Sequence, residues 1–155
     1  MTSFLSLENV SYVYPNGHQA LEQVTIQIEK GERIAIIGQN GAGKTTMAKL
    51  INGLNKPTAG DVWIDGWNTK DYTTAQIARK VGYVFQNPDD QIFQNRVYDE
   101  VAFGPRNLNC PEEEIEQRVQ EAAEMVQIKE WLEENPYDLP YSLRRFVTTA
   151  SIIAM

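Results

Sequence analysis

The chain has 155 residues, the length of one domain, and its 42% hydrophobic and 23% charged residues are ordinary for a globular protein that buries a core. Its formal net charge of −7 argues against nucleic acid as a partner, although backbone amides and one lysine can still bind phosphate locally. The single cysteine, Cys110, excludes an intramolecular disulfide and a cysteine-rich metal site. No apolar stretch reaches the roughly 18 residues of a membrane-spanning helix, and the N-terminus lacks the pattern of a signal peptide, so a membrane link is expected only through a partner.

The first thirty residues predict a β-hairpin. LSLENVSYVY and ALEQVTIQIE both alternate polar and apolar side chains, and PNG between them is typical of a turn. His18 lies in this turn and is expected to be solvated rather than to bind a ligand.

A strand and a helix are predicted next. RIAIIG is a short, continuously apolar run, which is typical of a strand buried on both faces. The helix that follows ends near Gly53, and its apolar residues recur at helical spacing: Met47, Leu50, Ile51 and Leu54.

The middle of the chain predicts short elements. PTAGDVWIDG reads as turn, strand and turn, TAQIARK as a short helix, and VGYVFQ as a further strand. NPDDQIFQNRVYDEVAFGPRNL is predicted to be mixed loop and short helix.

Two helices are predicted at the C-terminal end. The first begins at Pro111, and the acidic run Glu112–Glu114 matches the positive end of its dipole, where it is expected to be solvated. Its inner face is predicted to be Ile115, Val119, Ala122 and Val126. A last helix is indicated by Phe146, Val147, Ala150, Ile153 and Ala154.

The segment Gly38–Thr45 fits the phosphate-loop pattern G-x-x-x-x-G-K-S/T at every fixed position. Gly41 and Gly43 allow backbone angles that let successive N–H groups gather around an anion, and the following helix adds its positive end. Lys44 supplies a mobile charge for the outer phosphates, and the Thr45 hydroxyl can bind Mg²⁺. A chance match is the alternative, but the strand before the loop and the helix after it are both predicted. The motif alone does not choose between kinases, GTPases and transport ATPases.

Beyond the loop, the chain resembles the ATP-binding cassette ATPases along almost its whole length. The resemblance is carried by LENVSYVYP, ALEQVTIQIEKGERIAIIGQNGAGKTT, PTAGDVWIDG and VGYVFQNP, in this order. It implies an α/β P-loop NTPase fold with an N-terminal antiparallel β subdomain, an α-helical subdomain and the C-terminal part of the core sheet missing. Residues 1–86 would form the β subdomain and P-loop core, and residues 87–155 the glutamine loop and helical subdomain.

The resemblance also assigns roles to single residues. Tyr14 resembles the aromatic residue that stacks on adenine, with Tyr12 as a rival, and Gln86 resembles the residue that reaches Mg²⁺ and the attacking water. Lys44 and Gln86 are thus the catalytic candidates, and Thr45 and Gln86 the metal candidates. The residues expected to bind ATP are Tyr14, Gly38, Gln39, Asn40, Gly41, Ala42, Gly43, Lys44, Thr45 and Thr46.

A narrower resemblance follows in NPDDQIF and YDEVAFGP, which are similar to segments of the ATPase subunits of energy-coupling factor transporters. It implies uptake of a vitamin or a metal ion, driven by ATP and Mg²⁺. The implied partners are a second ATPase subunit, identical or different, a transmembrane coupling subunit and a substrate-capture membrane protein. The implied location is peripheral, on the cytoplasmic face of the membrane. A cassette protein outside transport is the less favoured alternative.

The sequence departs from the family at two places. Leu139–Leu143 stands where the family has the signature loop L-S-G-G-Q and lacks both glycines. This departure predicts that the segment contacts the ATP of a partner subunit poorly, and that the dimer is asymmetric. The chain also stops before the family's next strand with its aspartate and glutamate, and before a later histidine. We therefore expect these 155 residues to bind ATP but hardly hydrolyse it, and to be unstable alone. The alternative is a regulatory or inactive ATP-binding chain.

Overall fold

A four-stranded antiparallel sheet dominates the N-terminal half of the computed structural model, which describes residues 3–155. Its strands are β1 (Leu5–Val13), β2 (Gln19–Ile28), β3 (Ala59–Ile64) and β4 (Trp67–Asn68), in the order β2-β1-β3-β4. The predicted hairpin, its turn and the later short strand are confirmed.

A bulge in β1 explains which of its side chains face the core. The register pairs Leu7 with Ile26 and Val10 with Val24, so one residue of β1 is extra, and Asn9 takes a positive φ of 50°. Leu7 and Val10 are therefore both fully buried although three positions separate them.

Two helices accompany the sheet, α1 (Lys44–Ile51) and α2 (Thr74–Ile77). Met47 and Leu50 of α1 are buried in one cluster with β1 and β3, as their spacing predicts. Leu54 continues the helical spacing in the sequence, but it lies beyond the end of α1 and is exposed, because the chain turns at Gly53 with a φ of 74°.

Two predicted strands do not form. Residues 33–38 (RIAIIG) and 81–86 (VGYVFQ) have no strand structure, and none of residues 3–155 pairs with them. Ile37 is 89% exposed, so the prediction of a strand buried on both faces is wrong here. A strand needs neighbours that satisfy its backbone N–H and C=O groups, and apolar composition does not supply them.

The second half of the chain is helical. It contains α3 (Val97–Asn107), α4 (Glu112–Met125) and α5 (Tyr141–Ile153), with short 3-10 helices at Pro88–Asp90, Lys129–Trp131 and Pro136–Asp138. Pro111 is the N-cap of α4, directly before its first turn.

The predicted inner face of α4 is largely confirmed, and the predicted last helix forms. In α4, Ile115, Val119 and Ala122 are buried and Val126 is half-buried. The predicted last helix forms as α5; Val147, Ala150 and Ala154 are buried, and Phe146 and Ile153 are exposed.

The chain divides into two compact units, one ending at Val81 and the other running from Gly82 to Met155. Each has its own buried cluster: the sheet with α1 and α2, and the bundle of α3, α4 and α5. Which functional subdomain each unit represents stays a prediction. Within residues 3–155, no helix is both long and apolar enough to cross a bilayer.

Candidate functional site

The phosphate loop leads directly into helix α1. Gly43 is the N-cap, with φ 85° and ψ 3°, and Gly41 also takes a left-handed φ of 84°. The Ala42 N–H donates to the Gln39 carbonyl at 3.2 Å, and the Met47 N–H donates to the Gly43 carbonyl at 2.8 Å. Within residues 3–155, no side-chain hydrogen bond caps the start of α1. The loop therefore presents a helix N-terminus with its positive end open.

The two left-handed glycines differ in their surroundings. A Cβ on Gly43 would lie 2.6 Å from the Ala20 carbonyl oxygen and 2.8 Å from a methyl group of Leu21. A Cβ on Gly41 would meet nothing within 4 Å. Only a residue without a side chain fits at Gly43, where β2 approaches the loop.

Lys44 is folded back over the loop. Its Nζ donates to the carbonyl oxygens of Gly38 at 2.8 Å and Gln39 at 2.7 Å. Among residues 3–155, Lys44 has no ion pair with a carboxylate. Neutral carbonyl dipoles thus hold the ammonium group, and its charge remains free for an anion.

Tyr14 lies beside the first turn of α1. Its hydroxyl is 2.8 Å from the Thr46 Oγ1, and its ring meets Tyr12 edge-on with centroids 4.9 Å apart. The structure therefore places Tyr14 next to the phosphate loop, while its stacking on a base stays a prediction. Thr45 is exposed.

Gln86 belongs to the second unit, whereas the other predicted site residues belong to the first. Its side chain is exposed, and it follows directly after the irregular segment 81–85. The structure thus gathers the loop, Tyr14 and Thr46 in one unit, and the role of Gln86 stays a prediction.

The segment in the place of the signature loop leads into α5. Pro140 is its N-cap, and Tyr141 and Ser142 are exposed in its first turn. Arg144 donates from Nη1 to the Asp89 carboxylate at 2.7 Å and from Nε to the Leu139 carbonyl at 3.2 Å. Arg145 is exposed.

Two polar residues that the sequence reasoning did not single out hold the segment after Gln86. The Gln91 side-chain amide accepts the Phe85 N–H and donates to the Thr148 carbonyl and the Ser151 Oγ of helix α5. Glu100, only 3% exposed, accepts the N–H groups of Phe93 at 3.0 Å and Gln94 at 2.9 Å. The motif NPDDQIF was the available signal for Gln91, but its spacing gives no indication of a partner about 60 positions further along the chain.

Comparison with known proteins gives consistent matches. The ABC transporter family model matches residues 21–152. The energy-coupling factor transporter ATP-binding protein EcfA of Methanothermobacter thermautotrophicus is 46% identical over 154 residues, covering 97% of this chain and 49% of the relative.

Solved structures of ATP-binding cassette proteins have a fold similar to that of this chain. One is cbiO1 from Clostridium perfringens, described as part of the ABC transporter complex cbiONQ, with a TM-score of 0.88 and 32% identity over 99% of this chain and 62% of that one. Another is the dimeric, post-hydrolysis ATP-binding cassette MJ0796 bound to ADP and Pi, with a TM-score of 0.85 and 30% identity over 97% of this chain and 69% of that one. The predicted α/β P-loop fold, with its antiparallel sheet and helical part, is confirmed.

The match covers only a part of each relative. The chain spans 26%, 58% and 49% of the lengths of three curated relatives with 45% to 47% identity to it.

Proposed function

We propose, because the chain belongs to the ABC transporter family, that it is the ATP-binding portion of an ATPase subunit of an energy-coupling factor importer. The observation that carries this proposal is the phosphate loop, where the Lys44 ammonium group, unpaired with any carboxylate of residues 3–155, lies over a helix start whose N-cap is a glycine. A triphosphate offers that group and the loop amides stronger acceptors than the two carbonyls of Gly38 and Gln39.

Different residues in and beside the loop would contact different parts of the nucleotide. We propose that the backbone from Gly38 to Gly43 surrounds the phosphates and that Lys44 contacts the outer ones. Tyr14, whose hydroxyl lies 2.8 Å from the Thr46 Oγ1, is the proposed stacking partner of the base. We propose that Thr45 would hold Mg²⁺, which would neutralise charge on the phosphates, and Gln86 stays the second metal candidate from the sequence.

The relatives support the transport branch. EcfA is by its name a transporter ATP-binding protein, and cbiO1 belongs to a transporter complex. We propose the same setting here: a second ATPase subunit, a transmembrane subunit and a substrate-capture protein, with this chain on the cytoplasmic face of the membrane. The cargo would be a vitamin or a metal ion.

An aromatic pair in the second unit is the proposed contact for the transmembrane subunit. Phe93 and Phe103 are 55% and 40% exposed, and their rings meet edge-on with centroids 4.6 Å apart. Exposed aromatic side chains that lie together are typical of protein interfaces. The pair lies in the motifs NPDDQIF and YDEVAFGP.

A non-hydrolysing ATP-binding subunit is the second candidate. Pro140 and Tyr141 stand at the start of α5, where a loop that approaches a partner's nucleotide needs bare backbone. We propose that this segment contacts the ATP bound by the opposite subunit poorly, so that an asymmetric dimer has one strong and one weak ATP site.

Phosphate release by the full-length protein, assembled with its membrane subunits, tests the two candidates. Lys44→Ala should lower ATP hydrolysis about 10²- to 10³-fold, because a preorganised positive donor is lost. Lys49→Ala, a lysine in the last turn of the same helix, is the matched control and should leave the rate unchanged. An unchanged rate in Lys44→Ala would show that this site is not the productive one. Mg·ATP binding without hydrolysis in the wild type would favour the second candidate.

A further inference from the structure

We infer that Gln91 is a positioning residue, which fixes the backbone next to Gln86 to helix α5 through its side-chain amide. This inference rests on the proposed function, since it matters only if Gln86 acts on bound nucleotide. It gives the NPDDQIF motif a role inside the helical unit, distinct from any contact with a membrane subunit.

The amide of Gln91 uses both of its donors and accepts one bond. Its Oε1 accepts the Phe85 N–H at 3.0 Å, one residue before Gln86. Its Nε2 donates to the Thr148 carbonyl at 3.0 Å and to the Ser151 Oγ at 3.1 Å. Thr148 and Ser151 are buried in α5, so one end of the link is anchored in the core of the unit.

The Phe85 N–H has the Gln91 side chain as its hydrogen-bond acceptor, and within residues 3–155 segment 81–86 forms no strand pairing. Val84 and Phe85 are 42% and 38% exposed, so packing within these residues restrains this backbone weakly. The Gln91 side chain therefore supplies a fixed acceptor at the residue that precedes Gln86.

Neighbouring residues hold Gln91 itself in place. The Glu100 carboxylate accepts the Phe93 and Gln94 N–H groups, and the Tyr137 hydroxyl donates to the Ile92 carbonyl at 2.6 Å. Asp89 pairs with Arg144 of α5. These bonds tie the backbone on both sides of Gln91 to α3, to α5 and to the 3-10 helix at Pro136–Asp138.

Gln91→Leu in the full-length protein tests the inference, because leucine keeps the bulk and removes all three hydrogen bonds. We expect the Phe85 amide to exchange with solvent about five- to tenfold faster, the protection given by one ordinary hydrogen bond. In the assembled transporter, kcat for ATP hydrolysis should fall about 10- to 100-fold, while the Kd for Mg·ATP stays within about twofold.

Gln94→Leu is the matched control. It removes the same amide from the same segment, and the Gln94 side chain has no hydrogen bond within residues 3–155. It should leave the exchange of Phe85 and kcat unchanged. Equal effects of the two variants would overturn the inference, because the loss would then follow from changing any amide in this segment.

Ser151→Ala is a milder second variant in case Gln91→Leu does not fold. It removes one of the two acceptors of the Gln91 Nε2, so it should shift Phe85 exchange and kcat in the same direction by a smaller factor. Wild-type exchange of Phe85 in both variants would contradict the inference. If the wild-type protein binds no Mg·ATP, the proposed function fails, whereas the exchange measurement still reports on Gln91.

Discussion

The phosphate loop and the segment from Phe85 to Gln94 hold their functional groups in opposite ways. In the loop, eight consecutive residues arrange their own backbone, and the Lys44 ammonium bonds to carbonyls five and six positions away. In the segment, side chains from α3, α5 and the 3-10 helix at Pro136–Asp138 hold the backbone from up to 60 positions away.

This contrast predicts different sensitivities to substitution. The loop should lose ATP binding when a side chain is added to one of its glycines, because its geometry needs bare backbone and open space. The segment should lose its fixed backbone when a side chain is removed, because backbone N–H groups then lose their acceptors. The following predictions, in order of decreasing effect, test this difference.

Gly43→Ala should have the largest effect. The new methyl would lie 2.6 Å from the Ala20 oxygen, at a residue whose φ is 85°. We expect a loss of about 2–5 kcal/mol in unfolding free energy, from left-handed backbone strain and overpacking together, with loss of ATP binding. Denaturant unfolding and nucleotide titration of the full-length protein measure both.

Gly17→Ala is the control for the backbone strain of a side chain at a left-handed residue. Gly17 has the same left-handed φ, 84°, but nothing lies within 4 Å of its added Cβ. It should lose only about 1–2 kcal/mol and keep ATP binding. Equal losses in the two variants would show that crowding by β2 does not matter.

Glu100→Ala tests the segment. Its removal leaves the Phe93 and Gln94 N–H groups without their acceptor, which should cost about 2–4 kcal/mol in unfolding free energy. Glu113→Ala, on the exposed face of α4, should change the free energy by less than about 0.5 kcal/mol. Matching values would mean that the carboxylate of Glu100 does not hold this backbone.

Tyr98→Phe should have the smallest effect, because it breaks a bond on a more exposed surface. The Tyr98 hydroxyl donates to Glu116 at 2.6 Å and lowers the pKa of that carboxyl, with a smaller contribution from Gln120. Burial and the same hydrogen bond raise the pKa of Tyr98 to about 12. In Tyr98→Phe, the pKa of Glu116 should rise towards its ordinary value.

The sign of the pH effect follows from the lowered pKa. Glu116 is more acidic in the folded than in the unfolded state, so its contribution to stability is present above the unfolded pKa and is lost as pH falls through the folded pKa. The wild type should therefore lose slightly more stability than Tyr98→Phe on acidification. Carboxyl NMR titrations detect the pKa change, and Tyr141→Phe should leave it unaltered.

Local patterns were enough to predict the hairpin, the phosphate loop and the inner face of α4. The hairpin needs only alternation and a turn, and the loop needs only glycines and one lysine at fixed spacing. The resemblance along the chain led to the family. Each of these signals lies within a short stretch of sequence.

The predictions that are wrong or incomplete concern features that depend on residues distant in the sequence. RIAIIG is as apolar as a buried strand, yet none of residues 3–155 pairs with it, and Ile37 is 89% exposed. The contacts of Gln91 and Arg144 join residues more than fifty positions apart, and no periodicity in the sequence identifies such partners. A bond of this kind is fixed by how helices pack, which composition and spacing do not determine.

Equilibrium binding of Mg·ATP tests the central claim most directly. A fluorescent ATP analogue is titrated, with Mg²⁺, into the full-length protein and its Lys44→Ala and Lys49→Ala variants. Loss of the Lys44 ammonium should weaken binding about 10- to 100-fold, the value of a charge-assisted hydrogen bond, while Lys49→Ala binds like the wild type. Undiminished binding in a folded Lys44→Ala protein would contradict the account.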